Sequence, residues 1–294
     1  MSASRSNTRL FAQHSRSWQH NRYVYPVISR RSRGLSIGVN LNPDRICNFD
    51  CVYCCVDRTA GVDKPEAVDL AILRSELDAM LALVVSGEFW RTPPFDKTPP
   101  ALRRFNDIAF SGDGEPTACR VFDQACRLAG ELLANHHLAA KLVVITNATL
   151  LDRPSVQATL QYLDTHHGEI WAKLDAGNEN VYRQIIRSSI PYQKILDNLR
   201  DVAQRRDIVI QSMFLSFNGQ PPAEADIADY VDQLRQLKAT GARIALVQAY
   251  TIARPVFESH VAPVQDAVLD DIVARIQQAG LAAEAYYAVS HTDH

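Results

Sequence analysis

The chain contains no apolar run that approaches the roughly 20 residues needed for a helix to cross a bilayer. Its N-terminus lacks the apolar core of a secretory signal peptide. Only six cysteines occur among 294 residues, too few for a disulfide scaffold in a chain of this length. We therefore expect a cytoplasmic protein that is neither embedded in a membrane nor secreted.

Acidic residues are absent from positions 1–43, which hold seven arginines. The whole chain has 31 basic and 33 acidic residues, so the remainder carries 24 basic residues and a net charge of −9. We divide the chain into a basic N-terminal arm (1–33) and one α/β domain (34–294). A basic arm on an acidic body could dock on nucleic acid, or it could be a solvated tail that pairs with the body.

Apolar, strand-like runs alternate with segments of helical length along the domain. They lie at 34–41, 107–112, 141–147, 169–175, 207–219 and 242–251, and a further run at 281–290 could add a last strand. Strands joined by crossover helices predict a parallel sheet. Six βα units fit either an open doubly wound sheet or a partial barrel.

The predicted strands end in polar residues. In parallel α/β folds the functional groups gather at the carboxyl ends of the strands. The first strand leads into a cysteine-rich loop and the second into the segment SGDGEPT. The third ends at Thr146 and Asn147, the fourth at Lys173 and Asp175, and the sixth near Arg254. We expect these side chains to meet at one site.

Four of the six cysteines lie within nine residues, at Cys47, Cys51, Cys54 and Cys55. Adjacent cysteines would make a strained disulfide, and structural zinc sites usually draw on two separated pairs of ligands. The spacing Cys-x3-Cys-x2-Cys suits an iron–sulfur cluster on Cys47, Cys51 and Cys54. A zinc site stays open as the alternative. Cys55, Cys119 and Cys126 are expected to pack as small apolar residues, with a hydrogen-donating thiol as the alternative for Cys55.

At these residues the sequence resembles the radical S-adenosylmethionine superfamily. The family's mark is Cys-x3-Cys-x2-Cys after the first strand, with an aromatic residue, here Tyr53, before the third cysteine. Its Gly-Gly-Glu-like segment corresponds to 112–116, where an aspartate splits the glycine pair. The resemblance covers roughly 34–254. It implies a partial (βα)6 barrel with parallel strands, a [4Fe–4S] cluster with one open iron position, and S-adenosylmethionine bound there.

The resemblance and the residues together suggest roles at the site. Gly112 and Gly114 would let backbone approach the cofactor, and Glu115 would accept from its ammonium group or cap the following helix. Thr146 and Asn147 would bind ribose hydroxyls or form a turn.

Residues on or after the later strands are also assigned to the site. Lys173 and Asp175 share one face of a strand and form either a catalytic ion pair or a structural one. Of Gln211 and Ser212 at least one should face the site, and Ser212 is assigned to the cofactor. Arg254 is also assigned to the cofactor, as a residue that would hold a carboxylate or phosphate, with a place on the surface as the alternative.

These assignments predict an enzyme whose cluster reductively cleaves S-adenosylmethionine to a 5′-deoxyadenosyl radical. That radical would abstract hydrogen from a nucleoside, RNA or small metabolite, with a flavodoxin or ferredoxin as one-electron donor. The alternatives are an activase that places a glycyl radical on a partner protein, and a non-enzymatic iron–sulfur or zinc sensor. The closest resemblance is to loosely characterised single-domain proteins, distantly similar to wybutosine-synthesis enzymes but without their flavodoxin-like domain.

Overall fold

The computed structural model describes residues 18–58 and 67–288. Its ten strands are β1 (Val24–Ser29), β2 (Gly34–Val39), β3 (Phe105–Phe110), β4 (Lys141–Thr146), β5 (Gly168–Lys173), β6 (Ile208–Met213), β7 (Leu215–Phe217), β8 (Ile244–Tyr250), β9 (Val261–Pro263) and β10 (Ala283–Tyr286). Its helices are α1 (Leu70–Val85), α2 (Phe122–Asn135), α3 (Pro154–Asp164), α4 (Glu179–Ile186), α5 (Tyr192–Ala203), α6 (Glu224–Ala239) and α7 (Asp266–Gln278). No helix in these described ranges is long and apolar enough to cross a membrane.

Eight strands form one sheet in the order β1-β2-β3-β4-β5-β6-β8-β10. Every pairing from β2 to β10 is parallel, and the connections carry helices, so the predicted partial barrel of parallel strands is confirmed. The run predicted as a last strand contributes β10. The strands β7 and β9 form a separate antiparallel pair that the sequence analysis did not anticipate.

The strand β1 pairs antiparallel with β2 and extends the sheet at one edge. It lies within the segment predicted as a basic arm, so the boundary at residue 33 falls between two paired strands. Residues 1–17 of that arm lie outside the described residues. Residues 24–29 of the arm therefore belong to the sheet rather than preceding it.

The two faces of the sheet bury different sets of side chains. One face packs against the helices in the main hydrophobic core. The inner face carries its own small cluster, in which Trp171 packs with Ala109, Val143 and Val209. Because side chains alternate along a strand, the residues two positions further along point into the same interior. The carboxyl ends of the strands thereby deliver polar side chains to the inside of the curled sheet.

The curled sheet brings its two edges together without pairing them. The turn between β1 and β2 reaches β10, where Arg33 forms an ion pair with Glu284 at 3.1 Å. On the same turn Arg30 donates a hydrogen bond to the backbone carbonyl of Tyr287. The strands β1 and β10 are not neighbours in the hydrogen-bonded sheet. We call this junction, bridged by side chains, the seam.

Candidate active site

A cavity of about 330 Å³ lies inside the curl of the sheet. This volume is in the range of ordinary ligand sites. Its lining includes nearly all the residues that the sequence analysis assigned, namely Cys47, Cys51, Tyr53, Cys54, Gly112, Gly114, Glu115, Thr146, Asn147, Lys173 and Arg254. The predicted meeting of polar strand ends is thus observed in the described structure, with two exceptions taken up below.

The cysteine loop follows β2 and is held against the end of α4. The backbone N–H of Asp50 donates to Ile186 O at 3.1 Å, and that of Val52 donates to Ile185 O at 2.9 Å. The side chain of Arg187 donates to Asp50 O at 2.8 Å. These contacts hold the three thiols of the Cys-x3-Cys-x2-Cys motif half-buried along one wall of the cavity.

The electrostatic surroundings of the thiols differ along the loop. Burial raises the pKa of Cys47, and also that of Cys51, above the ordinary thiol value. The guanidinium of Arg58 lies 3.6 Å from the Cys54 sulfur and also donates to Asp113 O at 3.0 Å. Thiolates on this loop need a positive partner, which iron would supply directly and Arg58 would supplement. Sequence analysis assigned no role to Arg58, although it stands four residues after Cys54.

The described residues contain no group of three or more His, Cys, Asp or Glu side chains that converges on a single metal ion. A zinc site needs such convergence, because four ligands surround one ion at about 2.0–2.3 Å. A [4Fe–4S] cluster is held by thiolates on separate irons.

Glu115 is buried at the centre of a hydrogen-bond network. Its Oε1 accepts from the Thr117 backbone N–H at 3.1 Å, from the Thr117 hydroxyl, and from Thr146 Oγ1 at 2.6 Å. Its Oε2 accepts from the Asn147 N–H alone, at 2.7 Å. A carboxylate oxygen has two lone-pair directions, so Oε2 has capacity for one more donor. Glu115 thus caps the short helix after it and also lines the cavity, and its predicted contact with a cofactor ammonium group stays a prediction.

Asn147 uses its side chain to brace the cysteine loop. Its Nδ2 donates to Asn48 Oδ1 at 2.6 Å, and its Oδ1 accepts from Thr149. A third hydrogen bond, from Asn48 Nδ2 to the Thr149 hydroxyl at 2.7 Å, completes a closed ring of hydrogen bonds among these three side chains. The polar groups of Asn147 and Thr146 are therefore engaged within the protein, and their predicted contact with ribose stays a prediction.

The Gly-Asp-Gly segment owes its composition to close packing on the loop after β2. A Cβ at Gly112 would lie 2.2 Å from Asn40 Oδ1, and one at Gly114 would lie 2.2 Å from Ile46 O. Between them, Asp113 accepts from Asn40 Nδ2 at 2.7 Å. The aspartate that splits the family's glycine pair thus fastens this segment to the segment that leads into the cysteines.

Lys173 and Asp175 form an ion pair of 2.9 Å at the end of β5. Asp175 also accepts from the Met213 N–H at 2.8 Å and from the Tyr53 hydroxyl at 2.5 Å. Burial alone would lower the pKa of Lys173, but Asp175 and Tyr250 raise it above the ordinary lysine value. Lys173 is therefore a cation and lines the cavity, whereas Asp175 lies behind it and is absent from the described lining.

The second exception is Ser212, which the sequence analysis assigned to the cofactor. Its hydroxyl lies 2.5 Å from the Tyr230 hydroxyl of α6, on the outer face of the sheet. Its neighbour Gln211 lines the cavity instead. Adjacent strand residues point to opposite faces, so only one of the two could reach the site. Of the two residues, Gln211 is therefore the one that faces the cavity, and Ser212 does not reach it.

The structure also brings to the cavity residues that the sequence analysis did not assign to the site. Arg30 and Arg31 arrive from the turn between β1 and β2, and Tyr250 arrives from the end of β8. Of the remaining cysteines, Cys126 is fully buried in the main core, as predicted. Cys55 lines the cavity with its thiol directed to Tyr53 O at 3.9 Å.

Comparison with known proteins places this fold. No protein-family model matches the chain. A UPF0026 protein of Methanocaldococcus jannaschii is 26% identical over 255 residues, which cover 85% of this chain and 69% of that protein. A UPF0026 protein of Helicobacter pylori is 24% identical over 237 residues, which cover 78% of this chain and 66% of that protein. The chain thus spans about two thirds of the length of these curated relatives.

Solved structures with the same fold are radical S-adenosylmethionine proteins and their relatives. A radical S-adenosylmethionine methyltransferase of Sphaerobacter thermophilus aligns with TM-score 0.58 and 14% identity over 90% of this chain and 69% of that one. SuiB of Streptococcus suis, bound to S-adenosylmethionine, aligns with TM-score 0.57 and 12% identity over 89% of this chain and 53% of that one. TYW1 with a lysine–pyruvate adduct aligns with TM-score 0.55 and 16% identity over 84% of this chain and 74% of that one. The resemblance predicted from the cysteine motif is confirmed in the fold.

Proposed function

We propose that this protein is a radical S-adenosylmethionine enzyme with a [4Fe–4S] cluster on Cys47, Cys51 and Cys54. The observation that carries the proposal is the convergence of these three thiols with Glu115 and Lys173 on one cavity inside a partial barrel. Once reduced by an external one-electron donor, a cluster held there would supply the electron for cleavage of S-adenosylmethionine into methionine and a 5′-deoxyadenosyl radical, the species that would take hydrogen from the substrate.

The residues present fit both groups. The motif offers three thiols, one fewer than a four-iron cluster has irons, and thus leaves one position for the cofactor. The three thiols line the cavity, so a cluster held by them would be reached from it. The remaining acceptor capacity of Glu115 Oε2 suits an ammonium group, and a charge-assisted bond there would orient the cofactor. The polar side chains around the loop hold this arrangement before any ligand arrives.

Lys173 is the candidate for contact with the substrate or with a carboxylate of the cofactor. It is a cation in the cavity, and its Nζ lies 5.1 Å from the Tyr53 ring centre and 4.5 Å from that of Tyr250. Asp175 fixes its position from behind. Positioned charges of this kind act strongly in a site that excludes water.

The proposal is tested on anaerobically purified protein. We expect brown protein with about four irons per chain, which releases 5′-deoxyadenosine from S-adenosylmethionine when reduced. Cys51→Ala should abolish the cluster and the cleavage together. Cys119→Ala is the matched control, because Cys119 is also half-buried but does not line the cavity. Colourless, zinc-loaded protein without cleavage, or a Cys51→Ala variant that retains both, would contradict the proposal.

A further inference from the structure

Three arginines line the cavity where it meets the seam. Arg30 and Arg31 belong to the turn after β1, and Arg254 to the segment after β8. All three are half-buried. Within residues 18–58 and 67–288, none of them lies within ion-pair distance of a carboxylate, in contrast to Arg33, which pairs with Glu284. Their recorded contacts are with the Tyr287 carbonyl for Arg30 and with aromatic rings for Arg31.

The positive charges of these three arginines are close enough to repel one another. Burial and the neighbouring charges of Arg31 and Arg254 lower the pKa of Arg30 to about 10. Burial also lowers the pKa of Arg31, although the negative charge of Asp107 acts in the opposite direction. Cations gathered in this way with no carboxylate at ion-pair distance are stabilised by an anionic ligand.

This group lies away from the cysteine loop. A series of contacts leads from the Tyr53 ring to Lys173, from Lys173 to the Tyr250 ring, and from that ring to the Arg31 guanidinium, 5.4 Å from its centre. Arg31 also lies 5.6 Å from the centre of the Trp171 ring, in the interior of the sheet. Lys173 and Tyr250 therefore stand between Arg31 and the loop proposed to hold the cluster.

A second observation points to a ligand in the same interior. Gln211 is fully buried and lines the cavity. Its Nε2 donates to Gln248 Oε1 at 2.7 Å, but its own Oε1 has no hydrogen-bond partner in the described structure. A buried acceptor left without a donor is costly, so a ligand that donates an N–H or O–H would satisfy it.

We propose that the substrate is a small molecule bearing an oxyanion, a phosphate or a carboxylate, that binds between Arg30, Arg31 and Arg254 and donates a hydrogen bond to Gln211. The proposal rests on the proposed function, because the rest of the molecule then extends past Lys173 toward the cysteine loop. It also moves Arg254 from the cofactor, where the sequence analysis put it, to the substrate. Planar guanidinium groups suit both kinds of oxyanion, since each can be bound by two parallel hydrogen bonds.

Calorimetric titration of the full chain, purified anaerobically, tests this site. Pyrophosphate serves as the phosphate probe and malonate as the carboxylate probe, and the tighter of the two identifies the class. Arg254→Gln should weaken binding of that probe about tenfold or more, since a charge-assisted hydrogen bond contributes roughly 1.5–3 kcal/mol. Arg30→Gln should act in the same direction. Arg33→Gln, on the same turn but outside the cavity, is the matched control and should bind as the unaltered protein does.

Several results would contradict the proposal. The proposal would be overturned if neither probe binds, or if Arg33→Gln loses as much affinity for the probe as Arg254→Gln does. It would also be overturned if Arg254→Gln binds S-adenosylmethionine more weakly while its affinity for pyrophosphate is unchanged. Affinity for RNA alone, lost in Arg254→Gln, would overturn it in favour of a nucleic-acid substrate. Because anion binding is measured without turnover, its failure is separate from failure of S-adenosylmethionine cleavage. Circular dichroism on each variant distinguishes a lost site from a lost fold.

Discussion

The Tyr53 hydroxyl donates a hydrogen bond of 2.5 Å to Asp175, and this bond joins the cysteine loop to the end of β5. The same carboxylate holds Lys173 and the backbone N–H of Met213 at the end of β6. One buried side chain thus sets the relative positions of the aromatic residue beside the cysteines, the cation in the cavity and a neighbouring strand.

Asp175→Asn should destabilise the protein by about 3–5 kcal/mol, because it leaves the largely buried cation of Lys173 without its partner. Tyr53→Phe removes one hydrogen bond and should cost only about 1 kcal/mol. Urea unfolding of both variants measures the difference. Equal losses in the two variants would mean that the charge on Asp175 is unimportant.

Glu115→Gln should weaken S-adenosylmethionine binding about tenfold, through loss of a charge-assisted hydrogen bond to the cofactor amine. The amide nitrogen would also face a hydrogen-bond donor, so we expect a stability loss of about 1–3 kcal/mol. Equilibrium binding to folded protein separates the two effects. Glu131→Gln, an exposed substitution on α2, is the control and should change neither the affinity for S-adenosylmethionine nor the stability in this way. Unchanged affinity in Glu115→Gln would remove Glu115 from the cofactor site.

Asp107→Asn should change how stability depends on pH. Burial raises the pKa of Asp107 to about 6, from 3.8 for an unperturbed side chain. The folded state then binds more protons than the unfolded state between those values, so stability falls as pH rises through about 4 to 6. At pH 7.5 the variant should exceed the unaltered protein by up to the order of 3 kcal/mol, and at pH 4 the advantage should vanish. Thermal unfolding of both proteins across this pH range measures the stability difference. A difference of equal size at pH 4 and pH 7.5 would refute the prediction.

Much of the site was predictable because it follows from short spacings. The cysteine motif, Glu115 and the Lys173–Asp175 pair each lie at the end of a recognisable strand, and parallel strands bring their ends to one place. The choice between Gln211 and Ser212 needed only the face of β6, which a single apolar run does not reveal.

Other features depend on contacts far apart in the chain. The strand β1 contains Pro26 within an arginine-rich segment, a composition that argues against a central strand but is compatible with an edge. The grouping of Arg30 with Arg254 requires the full curl of the sheet, which brings residues more than two hundred positions apart to one cavity. Local sequence patterns carry no information on such a meeting.

The seam has a mechanical consequence for the barrel. Pro26 has no N–H, so the edge strand β1 cannot offer a complete row of donors to a further strand. The two edges are instead joined through long side chains such as Arg33, which is largely exposed. An exposed ion pair contributes about 0–1 kcal/mol. In the described sheet the wall of the barrel is therefore closed at this junction by side-chain contacts, and not by a ladder of backbone hydrogen bonds.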